Sequence, residues 1–323
     1  MKFYSTNNKS PLTSFESALF SGLAPDDGLY MPLKLPKLPL DFFDWINCKK
    51  PTFQEIASRL TKIILSYDVN NKALKEIVYD TLNFNAPLVK IRDNLFVLEL
   101  FHGPTLSFKD FGSRFLARIS AYFLKKRSKK ITIVVATSGD TGSAVAHGFY
   151  NIPNLEVYIL YPSKRISQLQ EKQITTFGKN IHAIEVNGSF DDCQRLAKLA
   201  LSDDELRKEL NISSANSINV GRLLPQMFYY FHGYQQLRKL GVKKFTYCVP
   251  SGNFGNLTAG LIAKRMGLPV SQFIAATNAN DIVPNYLKTG TFRPRKSKHT
   301  MSNAMDVGNP SNFTRIMAYI KID

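Results

Sequence analysis

Short apolar runs alternate, over most of the chain, with stretches in which apolar residues recur every three or four positions. The short runs predict buried strands, and the longer spacing predicts helices packed against them. The predicted strands cover residues 131–136, 155–161, 180–186 and 245–250. The predicted helices between them lie near residues 143–150, 167–177, 190–200 and 223–240. This alternation predicts an α/β fold with an open, mostly parallel sheet and helices on both faces.

The first 90 residues show helical periodicity instead. Thr13 with Glu16, and Thr52 with Glu55, have the spacing of a capping box, which predicts that a helix begins at each pair. A third helix is predicted near residues 73–82. We therefore expect a mostly helical segment ahead of the α/β region.

A candidate reactive residue lies where an apolar run meets a helix. Residues 95–100 (LFVLEL) predict a buried strand, and apolar residues spaced four apart predict a helix from Phe111, with Asp110 as its N-cap. Lys109 would then lie at a helix N-terminus among aromatic residues, where partial desolvation and the positive helix end both lower the pKa of an amine. Such an amine forms Schiff bases with carbonyl compounds. A lysine with these neighbours is more often an ordinary solvated side chain, so the interpretation depends on the rest of the chain.

Two further loops have the composition of anion-binding sites. Residues 136–143 (ATSGDTGS) and 251–256 (SGNFGN) each lie at the end of a predicted strand and precede a predicted helix. Glycines and hydroxyl residues there expose backbone N–H groups at a helix N-terminus, which suits a carboxylate or a phosphate. A tight turn capped by serine or threonine is the alternative for the first loop, and the second is neither a Walker A nor a dinucleotide-binding sequence. Because ligands of such folds bind beyond the carboxyl ends of the strands, the lysine and the two loops together are stronger evidence than any one of them.

The composition argues against a membrane protein, a disulfide-rich protein and a metal-binding protein. The 323-residue chain has 42 Lys and Arg against 25 Asp and Glu, a net charge of +17, which suits steering of an anionic substrate or binding of nucleic acid. The densest basic run, residues 125–130, falls at a predicted helix end as a solvated face, so we expect no nucleic-acid partner. With no apolar stretch of 18 residues and no signal pattern, we expect no membrane partner and a cytoplasmic location. The three cysteines and five histidines lack the spacing of a disulfide framework or a metal site.

Several stretches together resemble one family. HGPTLSFKDFG (102–112), ATSGDTGSA (136–144) and PSGNFGN (250–256) are similar to the corresponding motifs of threonine synthases, pyridoxal 5'-phosphate enzymes of fold type II. The resemblance also includes FYSTNNKSP (3–11) and GLAPDDGLYMP (22–32) of the opening segment, SFDDCQ (189–194), SANSINVGRLLPQ (214–226) and NAMDVGNPSNF (303–313). It therefore covers essentially the whole chain. One departure is Asp27, where the family has glycine, far in sequence from the candidate chemistry.

The resemblance implies a lyase of threonine biosynthesis that converts O-phospho-L-homoserine and water to L-threonine and phosphate. It implies that Lys109 carries the cofactor as a Schiff base and later moves protons. The residues implied to hold the cofactor phosphate are Gly252, Asn253, Phe254, Gly255 and Asn256. Those implied to face the substrate, and its carboxylate above all, are Ser138, Gly139, Asp140 and Thr141. Arg222 and Lys164 are candidates for the substrate phosphate, although an arginine is more often a surface ion-pair partner.

Two alternatives stay open. An O-phosphohomoserine phospho-lyase of the same family would degrade the same substrate to a keto acid, and shared motifs do not separate the two reactions. A non-catalytic relative that binds anions or nucleic acid would have no visible cofactor band, and its binding would weaken steeply with salt.

The expected domain division is a helical N-terminal domain over residues 1–90 and a two-lobed α/β catalytic region over residues 91–323. Threonine synthases usually continue well beyond NAMDVGNPSNF, and there the later region closes the large domain and brings a hydroxyl side chain to the pyridine nitrogen. We expect either a truncated chain or a variant in which another residue covers the cofactor ring. We also expect the apolar positions of residues 313–320 to form a helix without a packing partner.

Overall fold

The computed structural model describes residues 1–125 and 130–320, so residues 126–129 of the basic run lie outside the described part of the chain. The strands are β1 (Lys2–Ser5), β2 (Thr13–Ser14), β3 (Tyr30–Pro32), β4 (Leu88–Arg92), β5 (Leu95–Leu98), β6 (Ile131–Ala136), β7 (Leu155–Pro162), β8 (Ile181–Val186), β9 (Ile212–Ser214), β10 (Thr246–Pro250) and β11 (Gln272–Ala276). The first helices are α1 (Phe15–Ser21), α2 (Leu40–Lys49), α3 (Phe53–Leu65), α4 (Asn71–Thr81), α5 (Lys109–Leu124), α6 (Asp140–Phe149) and α7 (Gln168–Thr175). They are followed by α8 (Phe190–Ser202), α9 (Asp204–Leu210), α10 (Val220–Leu223), α11 (Met227–Lys239), α12 (Gly255–Arg265), α13 (Ile282–Thr289) and α14 (Phe313–Ile320).

A four-stranded parallel sheet, in the order β8-β7-β6-β9, forms the largest sheet of the described residues. Successive side chains of a strand point to opposite faces. Ile133 of β6 accordingly joins one apolar core, whereas Val134 packs with Cys193 and Ala197 of α8 in a second core. Helices therefore cover both faces of this sheet, and the predicted parallel α/β fold is confirmed.

The predicted strands agree with β6, β7, β8 and β10 to within one residue at each end. β10 lies outside the four-stranded sheet, however, and pairs in parallel with β11. The carboxyl ends of β6 and β10 lead directly into α6 and α12, so the two glycine-containing loops occupy the positions expected of them.

The opening segment is mostly helical, with one addition and one correction. β2, β1 and β3 form a small antiparallel sheet that the periodicity did not predict. The capping box of Thr52 and Glu55 is confirmed at the start of α3. The box predicted at Thr13 is wrong, because that residue belongs to β2 and pairs with Phe3 of β1. Ser14 caps α1 instead, through a 3.1 Å hydrogen bond that its Oγ accepts from the N–H of Ser17.

Residues 95–100 include a strand, β5, but the prediction that it is buried is wrong. The side chains of Leu95 and Val97 are 42% and 41% exposed. Within the described residues β5 pairs with β4 alone, in an antiparallel hairpin, so its second edge and one face remain open to solvent.

The last described helix, α14, was expected to lack a packing partner, and this is wrong for its first turns. Phe313 and Ile316 are buried, and the ring of Phe313 contacts that of Phe254 in the loop before α12. Arg315 between them is completely buried and donates hydrogen bonds to backbone carbonyls of residues 30, 217 and 218. α14 therefore ties the α12 loop to the N-terminal segment.

No helix within residues 1–125 and 130–320 combines the length and the apolar content needed to cross a bilayer. Those same residues contain no group of three or more His, Cys, Asp or Glu side chains arranged to hold a metal ion.

Candidate active site

Lys109 is the first residue of α5, and only 10% of its side chain is exposed. Its Nζ lies 3.0 Å from Oδ2 of Asp140 and 4.9 Å from the centre of the Phe108 ring. Burial lowers the pKa of the Lys109 amine, because the charged form is poorly solvated there. The Asp140 carboxylate acts in the opposite direction, and the nearby Arg222 guanidinium lowers the pKa further. The net direction is the one expected from the sequence.

Asp110 is not the N-cap that the sequence predicts. α5 begins at Lys109, two residues earlier than predicted, with Phe108 at the N-cap, and Asp110 lies fully buried in the first turn. Its carboxylate accepts hydrogen bonds from the N–H and Oγ1 of Thr105, at 2.9 and 2.8 Å. A Cβ on Gly103 would come within 2.4 Å of Oδ2 of Asp110, so only glycine permits this approach. Because its oxygens bind the preceding turn, the carboxylate fixes the loop that precedes Lys109.

The loop after β6 is a threonine-capped turn, part of which also faces a cavity. Oγ1 of Thr137 accepts hydrogen bonds from the N–H groups of Gly139 and Gly142, at 2.9 and 2.8 Å. Gly139 has a φ of 128°, a conformation that side chains disfavour. Two N–H groups are therefore used within the turn itself, while Ser138 and Thr141 line the cavity described below.

Asp140 connects this turn to the lysine. Its Oδ2 accepts the hydrogen bond from Lys109, and its Oδ1 accepts one of 2.8 Å from Nε2 of Gln170. Burial alone raises the pKa of Asp140, but the Lys109 ammonium and hydrogen bonds from Gln170 and Ser107 outweigh burial and hold the pKa below its ordinary value. The sequence analysis missed Gln170. The signal that could have found it is its capping-box spacing to Ser167 at the start of α7.

The loop between β10 and α12 is held by its own asparagine side chains. Nδ2 of Asn253 donates to Oγ of Ser217, and Oδ1 of Asn253 accepts from the N–H of Ser311, both at 2.6 Å. Nδ2 of Asn256 donates to the carbonyl of Pro250 at 2.7 Å. Since these amides bind the protein, the groups suited to an anion are the backbone N–H groups at the start of α12.

Backbone geometry explains the other residues of this loop. A Cβ on Gly252 would lie 2.6 Å from Cα of Met305, so the backbone segments touch there. Phe254 adopts a left-handed φ of 61° immediately before the helix. The nearest atom to a Cβ on Gly255 would be Nδ2 of Asn312, at 3.4 Å, so the helix end is not covered by another backbone segment.

Both loops, the lysine and one arginine line a cavity of about 80 Å³. The predicted site residues that line it are Lys109, Ser138, Thr141, Arg222, Gly252, Asn253, Phe254, Gly255 and Asn256. It adjoins a cavity of about 1000 Å³, and Phe108, Asn256 and Met305 contribute to both. Asp140 lines the larger cavity, whereas Gly139 and Lys164 line neither. Residues missed by the sequence analysis include Phe190 and Gln194 from SFDDCQ, Asn216 and Ser217 from SANSINV, and Ala304, Met305 and Val307 from NAMDV.

Arg222 and Lys164, the two cations proposed from the sequence, have different surroundings. Arg222 is buried in α10, where Nη1 donates to the carbonyl of Ala215 at 2.7 Å and Nε has no acceptor among the described residues. Burial lowers the pKa of its guanidinium to about 10. Lys164 is exposed on the loop after β7. A buried donor without a partner needs an explanation, and an anionic ligand supplies one for Arg222.

Comparison with protein families gives two matches that together cover nearly the whole chain. Residues 80–322 match the family described as pyridoxal-phosphate dependent enzyme. Residues 2–82 match the family described as threonine synthase N terminus.

Individual proteins agree with these matches. Threonine synthase of Serratia marcescens is 47% identical over 316 residues, which are 98% of this chain and 73% of that protein. Threonine synthase of Buchnera aphidicola from Acyrthosiphon pisum is 45% identical over 320 residues, again 98% and 73%. The crystal structure of Escherichia coli threonine synthase superposes with a TM-score of 0.93 at 43% identity and covers 100% of this chain and 74% of its own. The pyridoxal-phosphate-bound threonine synthase of Brucella melitensis gives 0.91 at 39%, with 99% and 70% covered.

Proposed function

The chain belongs to the threonine synthase family of pyridoxal-phosphate-dependent enzymes, and on this premise we propose that it converts O-phospho-L-homoserine and water to L-threonine and phosphate. One observation carries the proposal. A buried lysine amine, a glycine loop at a helix N-terminus and a buried arginine with an unused N–H donor line the same cavity. These are the groups that a reaction on a phosphorylated amino acid needs in one place.

The residues present fit pyridoxal 5'-phosphate. Lys109 would hold the cofactor covalently through Nζ, and the backbone N–H groups of residues 252–256 would hold its phosphate at the start of α12. The fit rests on Gly255, which lines the cavity at the start of α12, and on the amides of Asn253 and Asn256, which bind the protein and leave backbone N–H groups as the natural partners of a dianion. When bound, the cofactor supplies an electron sink for negative charge that develops on the substrate.

The proposed role of Lys109 is proton transfer. Once the substrate has displaced its amine, that amine takes protons from Cα and Cβ and returns protons to Cα and Cγ. Phosphate leaves Cγ, and water adds its hydroxyl group at Cβ and gives up its proton to the departing phosphate. Its lowered pKa favours the unprotonated amine that this role requires. Asp140, 3.0 Å away, stabilises the ammonium that forms each time a proton is taken.

Substrate binding is proposed to involve both sides of the cavity. Ser138 and Thr141 line it beside Lys109 and are placed to meet the carboxylate. Between the two cations suggested by the sequence, we favour Arg222 for the substrate phosphate. Arg222 is buried, lines the cavity and has an unused Nε donor, whereas Lys164 is exposed and lines neither cavity.

The test is to incubate the purified chain with pyridoxal 5'-phosphate and O-phospho-L-homoserine and to identify the products. We expect threonine and phosphate in equal amounts, and no turnover by Lys109→Ala. Borohydride reduction and peptide mapping should place the cofactor on Lys109. Lys62→Ala, which removes an exposed lysine of α3, should retain full activity.

Other outcomes would reject different parts of the proposal. A keto acid with phosphate would indicate the phospho-lyase, and the absence of both a cofactor band and a product would indicate a non-catalytic relative. A label on another lysine would reject the role of Lys109 alone. A cytoplasmic location remains part of the proposal and is checked by fractionating cells that express the chain.

A further inference from the structure

Gln170 makes two hydrogen bonds that join the start of α7 to the candidate active site. Its Oε1 accepts from the N–H of Ser167 at 3.0 Å, which completes the capping box of α7. Its Nε2 donates to Oδ1 of Asp140 at 2.8 Å. The opposite oxygen of Asp140 accepts from Nζ of Lys109. One amide group therefore connects a helix end to the carboxylate that faces the lysine.

Packing restricts where this amide can lie. A Cβ on Gly139 would come within 2.3 to 2.5 Å of the amide carbon, nitrogen and oxygen of Gln170, so the amide rests directly on the glycine backbone. A Cβ on Gly142 would meet Cδ1 of Ile174, one turn further along α7, at 2.9 Å. α7 thus packs closely against the first turn of α6, and the Gln170 side chain is held in place by the backbone of Gly139.

We propose that Gln170 is a positioning residue that holds the Asp140 carboxylate against the Lys109 amine. The inference deepens the proposed function, since it concerns the lysine on which that function rests. It applies to the states in which the amine is free, which are before cofactor capture and after displacement by substrate.

The charges around the lysine give the expected direction. The charged groups that face Lys109 are Asp140 from α6 and Arg222 from α10, and those that face Asp140 are Lys109 together with the polar Gln170 and Ser107. Asp140 is the group among them that favours the ammonium. If Gln170 no longer holds it, the contact weakens, the pKa of Lys109 falls and more amine is unprotonated at a given pH.

The chain offers variants that separate this role from helix capping. Gln170→Met removes both hydrogen bonds, whereas Ser167→Ala disrupts only the capping box and leaves the amide free to bind Asp140. The full chain, freed of cofactor, would be labelled with trace acetic anhydride over a pH series from about 6 to about 11, because only the unprotonated amine reacts. Acetylation of the Lys109 peptide is measured by mass spectrometry against that of Lys62.

At about pH 8 we expect Gln170→Met to label at Lys109 faster than wild type by roughly threefold to fivefold, the size of a lost, partly screened ion-pair contact. Asp140→Asn should label at least as fast, and Ser167→Ala should match wild type. Equal acceleration in Ser167→Ala and Gln170→Met would reduce Gln170 to a helix cap and overturn the inference. So would a wild-type rate in Gln170→Met. Gln170→Leu replaces the methionine variant if that one does not fold.

The labelling needs no substrate, so it separates two failures. The expected order of labelling rates without threonine formation would reject the proposed function and leave the positioning role intact. Threonine formation with equal labelling rates in all variants would do the reverse.

Discussion

Arg222 and Arg315 are both buried, and their hydrogen bonds indicate different roles. Arg315 uses Nε, Nη1 and Nη2 on carbonyl groups and on Oδ1 of Asn312, so its donors are satisfied by the fold. Arg222, which lines the cavity, donates to one carbonyl and has no acceptor for Nε among the described residues. Because an unsatisfied buried donor is unfavourable, we interpret Arg315 as structural and Arg222 as a ligand-binding residue.

The first prediction at this scale is that Arg222→Lys weakens substrate binding selectively. Lysine keeps the positive charge but lacks the planar set of N–H donors that suits a phosphate. We expect KM for O-phospho-L-homoserine to rise by about 10-fold to 100-fold, the value of one or two lost charged hydrogen bonds, while kcat changes less. Steady-state kinetics with product detection measures both parameters.

Two controls make the result interpretable. Inhibition by inorganic phosphate should weaken in parallel with substrate binding, and Arg293→Lys, a change on an exposed loop, should leave both unaltered. An unchanged KM would remove Arg222 from the phosphate site. A parallel loss of cofactor affinity and thermal stability would show that it supports the fold instead.

At the scale of elements, the sequence was sufficient where periodicity and length were both strong. β6 and β7 are largely buried runs with clear ends, and the helices that follow them agree with the expected spacing. The strands that were missed, β9 among them, have only two to five residues, too few for a period to emerge. The burial of β5 was misjudged because an apolar run does not reveal whether a neighbour covers it.

The sequence predicted those residues of the site that belong to a single recognisable loop. Lys109 and the glycine loops stand out because their residue types are unusual next to a strand end. Gln170 and Met305 were not predictable in the same way, since each reaches the site through contacts between distant elements. Asp110 shows the same limit. Its side chain is of the type that caps helices, but its carboxylate is buried instead because it accepts two hydrogen bonds from Thr105.

The prediction at the scale of elements concerns α14. Arg315→Met would leave carbonyls of the N-terminal segment and of residues 217–218 without their donors inside the protein. We expect the free energy of unfolding to fall by about 3 to 5 kcal/mol, because each buried carbonyl left without a donor costs about 1 to 3 kcal/mol. Urea unfolding followed by circular dichroism measures it.

The matched control is Arg293→Met, which makes the same chemical change on the surface and should stay within about 0.5 kcal/mol of wild type. A similar small effect in Arg315→Met would mean that the surrounding carbonyls find other donors and that α14 is not a necessary tie.

For the whole molecule, the two halves of the candidate site come from different sheets. Lys109, Ser138 and Thr141 lie near the end of β6 in the four-stranded sheet, whereas residues 252–256 follow β10 in the two-stranded one. Ser217 follows β9 of the four-stranded sheet and connects the two sheets, because its Oγ accepts hydrogen bonds from Asn253, after β10, and from Asn312. The cavity is therefore sensitive to how the two sheets are held together, and α14 contributes to that through Asn312 and Arg315.

The last prediction concerns the apolar surface of the larger cavity. Strands β5 and β10 contribute much of its lining, and Leu95 and Val97 remain more than 40% exposed there. Continuous apolar surface of this kind binds hydrophobic dyes and promotes association. The net charge of +17 opposes association at low ionic strength, and salt screens that repulsion over about 10 Å at 0.1 M. We therefore expect the chain to enhance anilinonaphthalene sulfonate fluorescence and to associate more as salt is raised.

Val97→Gln should reduce both effects, whereas Leu40→Gln, at a residue outside the cavity that is 83% exposed, should change neither. Association that decreases with salt would instead identify charge as its cause, and equal effects of the two variants would exclude the cavity as the binding surface.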